Sequence, residues 1–402
     1  MSEGVYSSLS VTATRFRSIE RKIVGLFPEL LGVGGIQEVG RQTASALADI
    51  ATRHKYSTHF IALNDPPGTQ SFGFENRNIQ FHGFGRSKVK FVLSAISLAR
   101  KDASIAIAAH PHLAVPAIWM KMASSPRLPY IVMSHGVEVW SALPSITRYA
   151  LSHASLALAP SSDTAHRLAK IQGVADDKIR KLAWPVTPEF LRMAEQPSRL
   201  SLPKDFPQGK VILTVGRSIA SEQYKGTDAL IRAVAQLKST IPDISLVVVG
   251  TGDDLPRLRS LSYDLGVSNL VKFLGGIPRE EIAACYAQCD TFALPSTGEG
   301  FGLVYLEAMA FAKPVIGVAC GGVTDLIQNG VNGLLIPPHN LSRLVEGLGT
   351  LLGNTTLRRE CGLRGAEIVR QRYCFETFES ELEHILAECG LDCSPYLSVL
   401  AK

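Results

Sequence analysis

From residue 22 onward, short apolar runs alternate with amphipathic stretches. Residues 22–30, KIVGLFPEL, read as a β-run, and residues 32–38, GVGGIQE, as a glycine turn. Residues 38–52, EVGRQTASALADIAT, repeat their apolar positions with a helical period. The alternation continues through THFIAL, NIQFHGF, a helix over 89–100, ASIAIAAH, a helix over 114–122, PYIVMSHG and ASLALAPS. Apolar runs this short suit parallel strands buried on both faces, with helices as crossovers. Residues 191–209, LRMAEQPSRLSLPKDFPQG, are polar and proline-rich and predict a linker. A second series follows it: KVILTVGR, a helix over 226–240, ISLVVVG, a helix over 254–265, LVKFLGG, a helix over 279–289, and residues 290–319. The pattern predicts an α/β protein of two doubly wound, Rossmann-like domains, 22–190 and 210–375, facing a central cleft. Outside them lie a polar extension (1–21), a last helix (376–390) and a tail (391–402).

Composition adds bounds. A chain of 402 residues exceeds what one core usually serves, and 46% hydrophobic with 19% charged residues describes a globular protein. Net charge +5 is too small to imply nucleic acid, though compatible with anionic donors or an anionic membrane surface. All seven cysteines fall in the C-terminal half without a CxxC pair, which suits free thiols in a reducing cytoplasm. No apolar stretch approaches the ~20 residues of a spanning helix. The first 22 residues lack an apolar signal core. The expected location is cytoplasmic, either free or on the inner face of the membrane.

The chemistry concentrates in residues 290–319, DTFALPSTGEGFGLVYLEAMAFAKPVIGVA. They read as strand, glycine loop, helix and strand, with Pro314 ending the helix. At that helix's start the amides of Gly302, Leu303 and Val304 have no intrahelical acceptor, and the helix dipole adds partial positive charge, so a phosphate is the natural guest. Gly300 and Gly302 leave room for its approach. Glu307 lies five residues further on, roughly 7.5 Å at helical rise, about the reach from a diphosphate to a ribose. Glu299 lies on the other side of the phosphate seat, where a transferred sugar would sit. Either glutamate alone reads as a solvated charge; the pair with the glycines reads as a site.

EGFGLVYLE, residues 299–307, two glutamates with seven residues between, resembles the signature of the retaining GT-B glycosyltransferases of family 4. The resemblance covers about residues 22–390 and is more specific in the C-terminal half. It implies a metal-independent enzyme, with no cofactor, that moves a hexose from a UDP- or GDP-sugar to a saccharide or polyprenyl-linked acceptor, in cell-envelope or exopolysaccharide synthesis. Arg217, ending VGR, and Lys225, in KG, match the family's diphosphate-binding positions, although SIASEQYKG is longer between them than the commonest form. A guanidinium forks onto two oxygens and an ammonium acts as a point charge, so together they would balance a departing nucleoside diphosphate. Either alone would read as a surface charge.

His135, in HGVE after PYIVMS, resembles the histidine held beside the transferred sugar. His110 and His112 read as structural or as acceptor-site lining. Gly34 and Gly35 match a loop at the cleft, with a plain strand–helix turn as the competing reading. LGGIP, with Gly275 and Ile277, resembles the loop that meets the nucleobase. The implied donor-binding set is completed by Gly300, Phe301, Gly302, Leu303, Val304 and Glu307. GGVTDLI (321–327) would lie near the sugar and diphosphate, and the last helix would cross back onto the first domain. GTGDD (250–254) lacks both the dinucleotide glycine spacing and the spaced aspartates of a metal site, and reads as a turn. Residues 85–101, GRSKVKFVLSAISLARK, have cationic ends around Phe91, Val92, Ala95, Ile96 and Leu98. They read either as a helix packed on its sheet or as a contact with an anionic membrane. Two further classes stay open: a sugar-nucleotide epimerase, whose acid/base residues are not evident, and a non-catalytic nucleotide-sugar-binding protein.

Overall fold

The computed structural model describes residues 21–101, 103–124 and 128–393. The predicted extension and tail therefore lie outside the described residues, except for Arg21 and residues 391–393. The first eight strands are β1 (Lys22–Phe27), β2 (Ser57–Ala62), β3 (Gly68–Phe74), β4 (Arg77–Gly83), β5 (Ala103–Ala108), β6 (Tyr130–Met133), β7 (Leu156–Ala159) and β8 (Ile179–Lys181). They form one sheet in the order β3-β4-β2-β1-β5-β6-β7-β8, parallel except for the β3–β4 hairpin. The next six are β9 (Lys210–Val215), β10 (Ile244–Val249), β11 (Val271–Gly275), β12 (Thr291–Ala293), β13 (Val315–Val318) and β14 (Gly333–Ile336). They form a wholly parallel sheet in the order β11-β10-β9-β12-β13-β14.

Each order reverses direction once, between β1 and β5 in the first sheet and between β9 and β12 in the second. Loops leaving the carboxyl ends of strands beside such a reversal part to opposite sides and leave a crevice. The loops after β9 and β12 carry Arg217, Lys225 and Glu299, and those after β1, β5 and β6 carry Gly35, His110 and His135. The fold thus brings the candidate residues to crevices before any side chain is considered.

Three predictions differ from the structure. β3, GTQSFGF, escaped the apolar-run reading because it is an edge strand with much of its length in solvent. The expected linker starts inside a helix, Pro188–Glu195, capped by Thr187 Oγ1 on the Phe190 amide at 3.3 Å with Pro188 in its first turn, so residues 191–195 are helical. β8 and β14 are too short for periodicity to register.

The helix Phe375–Glu388 packs on Gly35–Arg53 of the first domain. Glu379 and Glu383 both pair with Arg53, the latter at 2.6 Å, and Phe378 meets Trp184 at 6.2 Å between centroids. One apolar cluster runs unbroken from Ile23 and Phe27 through Trp184, Phe190 and Phe378 to Leu213, Phe292 and Tyr305, so the two sheets share a core. All seven cysteines are free thiols.

Candidate active site

The cleft holds a cavity of ≈ 340 Å³. From the second sheet its wall takes Arg217, Glu222, Tyr224, Lys225, Glu299, Gly300, Phe301, Gly302, Leu303 and Val304; from the first it takes Gly35, Ile36, Val39, His135, Val137, Glu138 and Trp184. Ten of the fourteen candidates line this cavity: the four catalytic ones, Gly35 and the run 300–304.

The turn after β12 ends at Gly302, whose φ of 105° is left-handed, and the helix Leu303–Ala310 starts there with no side-chain cap. Its first amides are left for a ligand, as an anion seat requires. Two further glycines serve contact across the cleft. A Cβ on Gly136 would lie 2.3 Å from the Gly300 Cα, and one on Gly300 would lie 2.6 Å from the His135 carbonyl oxygen. Ser161 Oγ donates to the Gly300 carbonyl at 2.7 Å, and the Ser162 amide donates to Asp325 at 2.7 Å. The HGVE turn and the EGFG loop thus touch backbone to backbone.

Glu299 is partly buried, and desolvation raises its pKa, an effect opposed by Lys225 and a hydrogen bond from Ser296 and reinforced by Glu222. Behind it the Gly322 amide donates to the Glu299 carbonyl at 2.9 Å, which places the Gly321–Gly322 turn against the loop. His135 is partly buried, and desolvation lowers its pKa. Its Nε2 sits 2.8 Å from the Ala109 carbonyl, so the neutral ring keeps its proton there and leaves Nδ1 as an acceptor. The ring is flanked by His110 at 5.8 Å and Trp184 at 5.4 Å, and His110 is itself pushed down to about 3 by burial and by His135. His110 and His135 are thus uncharged at neutral pH.

Four candidates do not reach the cavity wall. Glu307 lies a turn below Val304, partly buried, accepting from Tyr286 Oη at 3.0 Å, and desolvation drives its carboxyl up to about 7 despite nearby Arg279. Gly34 sits in the preceding loop at φ 151°, outside the wall. Gly275 ends β11, where its carbonyl accepts from the Gly250 amide at 2.8 Å. Ile277 borders a separate crevice with Pro203, Lys204 and Phe273. Gly250 and Gly252 are packing glycines: a Cβ on either would come within 2.0 Å of the Gly216 or Ser218 carbonyl oxygen.

Sequence reading missed Glu222, Tyr224, Glu138 and Trp184. Glu138 Oε1 accepts from the His135 amide at 2.5 Å and closes the HGVE turn. The Tyr224 ring covers Gly298, leaving no space for a Cβ there. The signal for Glu222 was its place three residues before Lys225, the spacing of neighbours on one helical turn.

A family model described as glycosyl transferases group 1 matches residues 203–367. The GDP-mannose-dependent alpha-(1-6)-phosphatidylinositol monomannoside mannosyltransferase of Mycobacterium tuberculosis is 30% identical over 287 residues, covering 68% of this chain and 73% of that protein. The D-inositol 3-phosphate glycosyltransferase of Corynebacterium aurimucosum is 34% identical over 209 residues, 50% of this chain and 48% of that protein. Among solved structures, Anabaena HepE in complex with UDP-glucose superposes with a TM-score of 0.69 at 21% identity, over 91% of this chain and 99% of its own. The last comparison supports the two-domain GT-B fold alone. Taken with the shared core, the cleft and the residues lining it, these matches lead to one conclusion: the chain belongs to the group 1 glycosyl transferases.

Proposed function

We propose that the protein transfers a hexosyl group, with retention of anomeric configuration and without a metal ion, from a UDP- or GDP-sugar to a saccharide or polyprenyl-linked saccharide in envelope or exopolysaccharide synthesis. The observation that carries this reading is the convergence of Arg217, Lys225, Glu299 and an uncapped helix N-terminus on one cavity. The bond from the anomeric carbon to the phosphate oxygen breaks, leaving negative charge on the diphosphate. Arg217, Lys225 and the amides at 302–304 stabilise that charge, the role a divalent cation would otherwise fill. The acceptor oxygen bonds to the same face of the anomeric carbon, and its proton passes to the departing phosphate oxygen. Glu299 accepts from sugar hydroxyls and holds the ring in line, and neutral His135 offers Nδ1 to another hydroxyl. Glu307 takes the ribose if donor binding draws its carboxyl from Tyr286 to the cavity wall. Gly34, Gly275 and Ile277 complete the donor site only if the loops around them shift toward the cavity on binding.

One relative is named for a GDP-mannose donor and a phosphatidylinositol monomannoside acceptor, and a solved neighbour is in complex with UDP-glucose; both donor bases belong in the test. Product analysis with UDP- and GDP-hexoses and a lipid-linked acceptor decides it. A glycosylated product whose new linkage keeps the donor's configuration, formed equally in EDTA, is expected. An epimerised donor, or binding without turnover for every donor and acceptor, would overturn it.

We also propose that the protein works at the cytoplasmic face of an anionic membrane. No helix among the described residues is long and apolar enough to cross a bilayer. The helices Lys88–Ala99, Ala114–Ala123 and Ser145–Ser152 pack side by side and contain no acidic residue. They expose Val89 and Leu93, Trp119 and Met122, and Ile146 and Tyr149 beside Lys88, Lys90, Lys121 and Arg148. The apolar set expected on the first helix is corrected: Phe91 and Ala95 face the core, because they lie on its sheet side. Flotation with anionic vesicles at low salt should carry the protein up, and Lys88→Glu with Lys90→Glu should weaken it.

A further inference from the structure

Arg217 and Lys225 do not wait for the donor unpartnered. Glu222 lies between them in sequence and pairs with both: its Oε1 is 2.5 Å from Arg217 Nη2 and its Oε2 is 3.1 Å from Lys225 Nζ. Oε2 is shut off from solvent and makes no well-aligned hydrogen bond in the structure. The Arg217 side chain is 68% exposed, whereas that of Lys225 is 18% exposed.

The backbone keeps the carboxylate there. Glu222 sits at a kink, φ −113° and ψ 29°, in the short helical turn Ala220–Lys225. The turn is pinned at its start by the Ala220 amide on Asp253 at 2.8 Å, and near its end by the Thr297 amide on the Tyr224 carbonyl at 2.9 Å. Gly226 follows at φ 73°, and a Cβ there would lie 2.6 Å from the Pro295 carbonyl oxygen. The length of SIASEQYKG, irregular by sequence, is what lets a carboxylate fold back over the two cations.

We propose that Glu222 is an internal counter-ion which occupies the diphosphate seat in the donor-free protein, yields it to the donor, and speeds release of the nucleoside diphosphate by reclaiming the two cations. This rests on the reading of Arg217 and Lys225 as diphosphate ligands. Two cations held close together repel each other and are costly to desolvate; one carboxylate between them removes most of that cost. A diphosphate brings more negative charge than Glu222 and displaces it. Glu299 faces the same space, so a resting seat with two cations and two carboxylates carries no net charge and exerts no lasting hold on product.

Titration of the full chain with pyrophosphate, UDP and GDP tests this, comparing wild type with Glu222→Gln and Glu222→Ala. Both variants should bind each anion about tenfold more tightly, the size expected from removing one nearby like charge in a partly solvated site. In the Arg217→Gln background the gain should shrink. With a donor sugar, both variants should show a lower KM, a lower kcat and stronger inhibition by product. Weaker or unchanged anion binding in both variants, with nucleotide still bound by wild type, would overturn the counter-ion role and leave the donor reading intact. Tighter pyrophosphate binding in the variants, with neither UDP nor GDP bound by any protein, would support the counter-ion and defeat the donor reading.

Discussion

The two walls of the cleft follow the same strand–loop–helix plan and present opposite chemistry. The second sheet contributes the charged Arg217, Lys225, Glu222 and Glu299 and a helix N-terminus, among apolar residues such as Val215, Leu294 and Phe301. The first contributes Gly35, Ile36, Val39, Val137, Trp184 and a neutral histidine, with its one carboxylate, Glu138, engaged by the His135 amide. A wall built for charge binds by long-range attraction and keeps its residue types in recognisable places. A wall built from apolar and backbone groups binds by shape, which many sequences can supply. The difference explains why the C-terminal half matches a family model and the resemblance of the N-terminal half is loose.

The largest expected effect breaks the charged wall. Arg217→Ala and Lys225→Ala should each lower kcat by ~10² to 10³, because each removes stabilisation that grows as the diphosphate departs. Unaltered melting would show the fold intact. Near-wild-type turnover in both variants would erase the contrast between the walls.

A smaller effect tests where the walls meet. Gly300→Ala drives a methyl group toward the His135 carbonyl and Gly136, so the domains cannot approach as closely. Turnover should fall by about 10²-fold, the scale of an ångström misplacement, while nucleotide affinity holds because the charged wall is untouched. Calorimetry beside kinetics separates the two; equal losses in affinity and turnover would place Gly300 in the nucleotide seat instead.

The smallest concerns Glu307, behind the charged wall. Burial raises its carboxyl to about 7 in the folded protein, above its ordinary range. The protonated form is therefore favoured by folding: that stability is fully present below the unfolded pKa and is lost as pH rises through about 7. Glu307→Gln cannot ionise, so it should melt above wild type at about pH 8, with the gap closing near pH 5. Arg279 opposes the shift, and the titratable groups around Glu307 are Tyr286, Arg279 and Glu38. A gap that does not change with pH would mean that Glu307 is already ionised in the fold.

Legibility followed the range of the interactions involved. The loop 296–302 and its helix were readable because glycine torsion, an uncapped N-terminus and Pro314 act within a few residues. Arg217 and Lys225 were readable because they close a strand and open a helix. The strand β3 was not, since half of an edge strand's pattern faces water. The missed Glu222 needed a fold-back within a turn, and Glu138 and Trp184 needed the packing of the HGVE turn and the C-terminal helix.

By itself the sequence determined two doubly wound halves, the direction in which each strand points its loop, and the charged groups at one cleft wall, because local periodicity and turn chemistry suffice for these. The tertiary structure alone decided what meets across the cleft. It set Gly136 against Gly300, and it paired Arg279 with Glu38 at 3.1 Å and with Thr187 at 2.6 Å, groups far apart in the chain. It also put Glu307 behind the cavity wall instead of on it. Such contacts depend on how two separately formed sheets dock over a shared core, and no window of sequence a helix or hairpin long contains both partners.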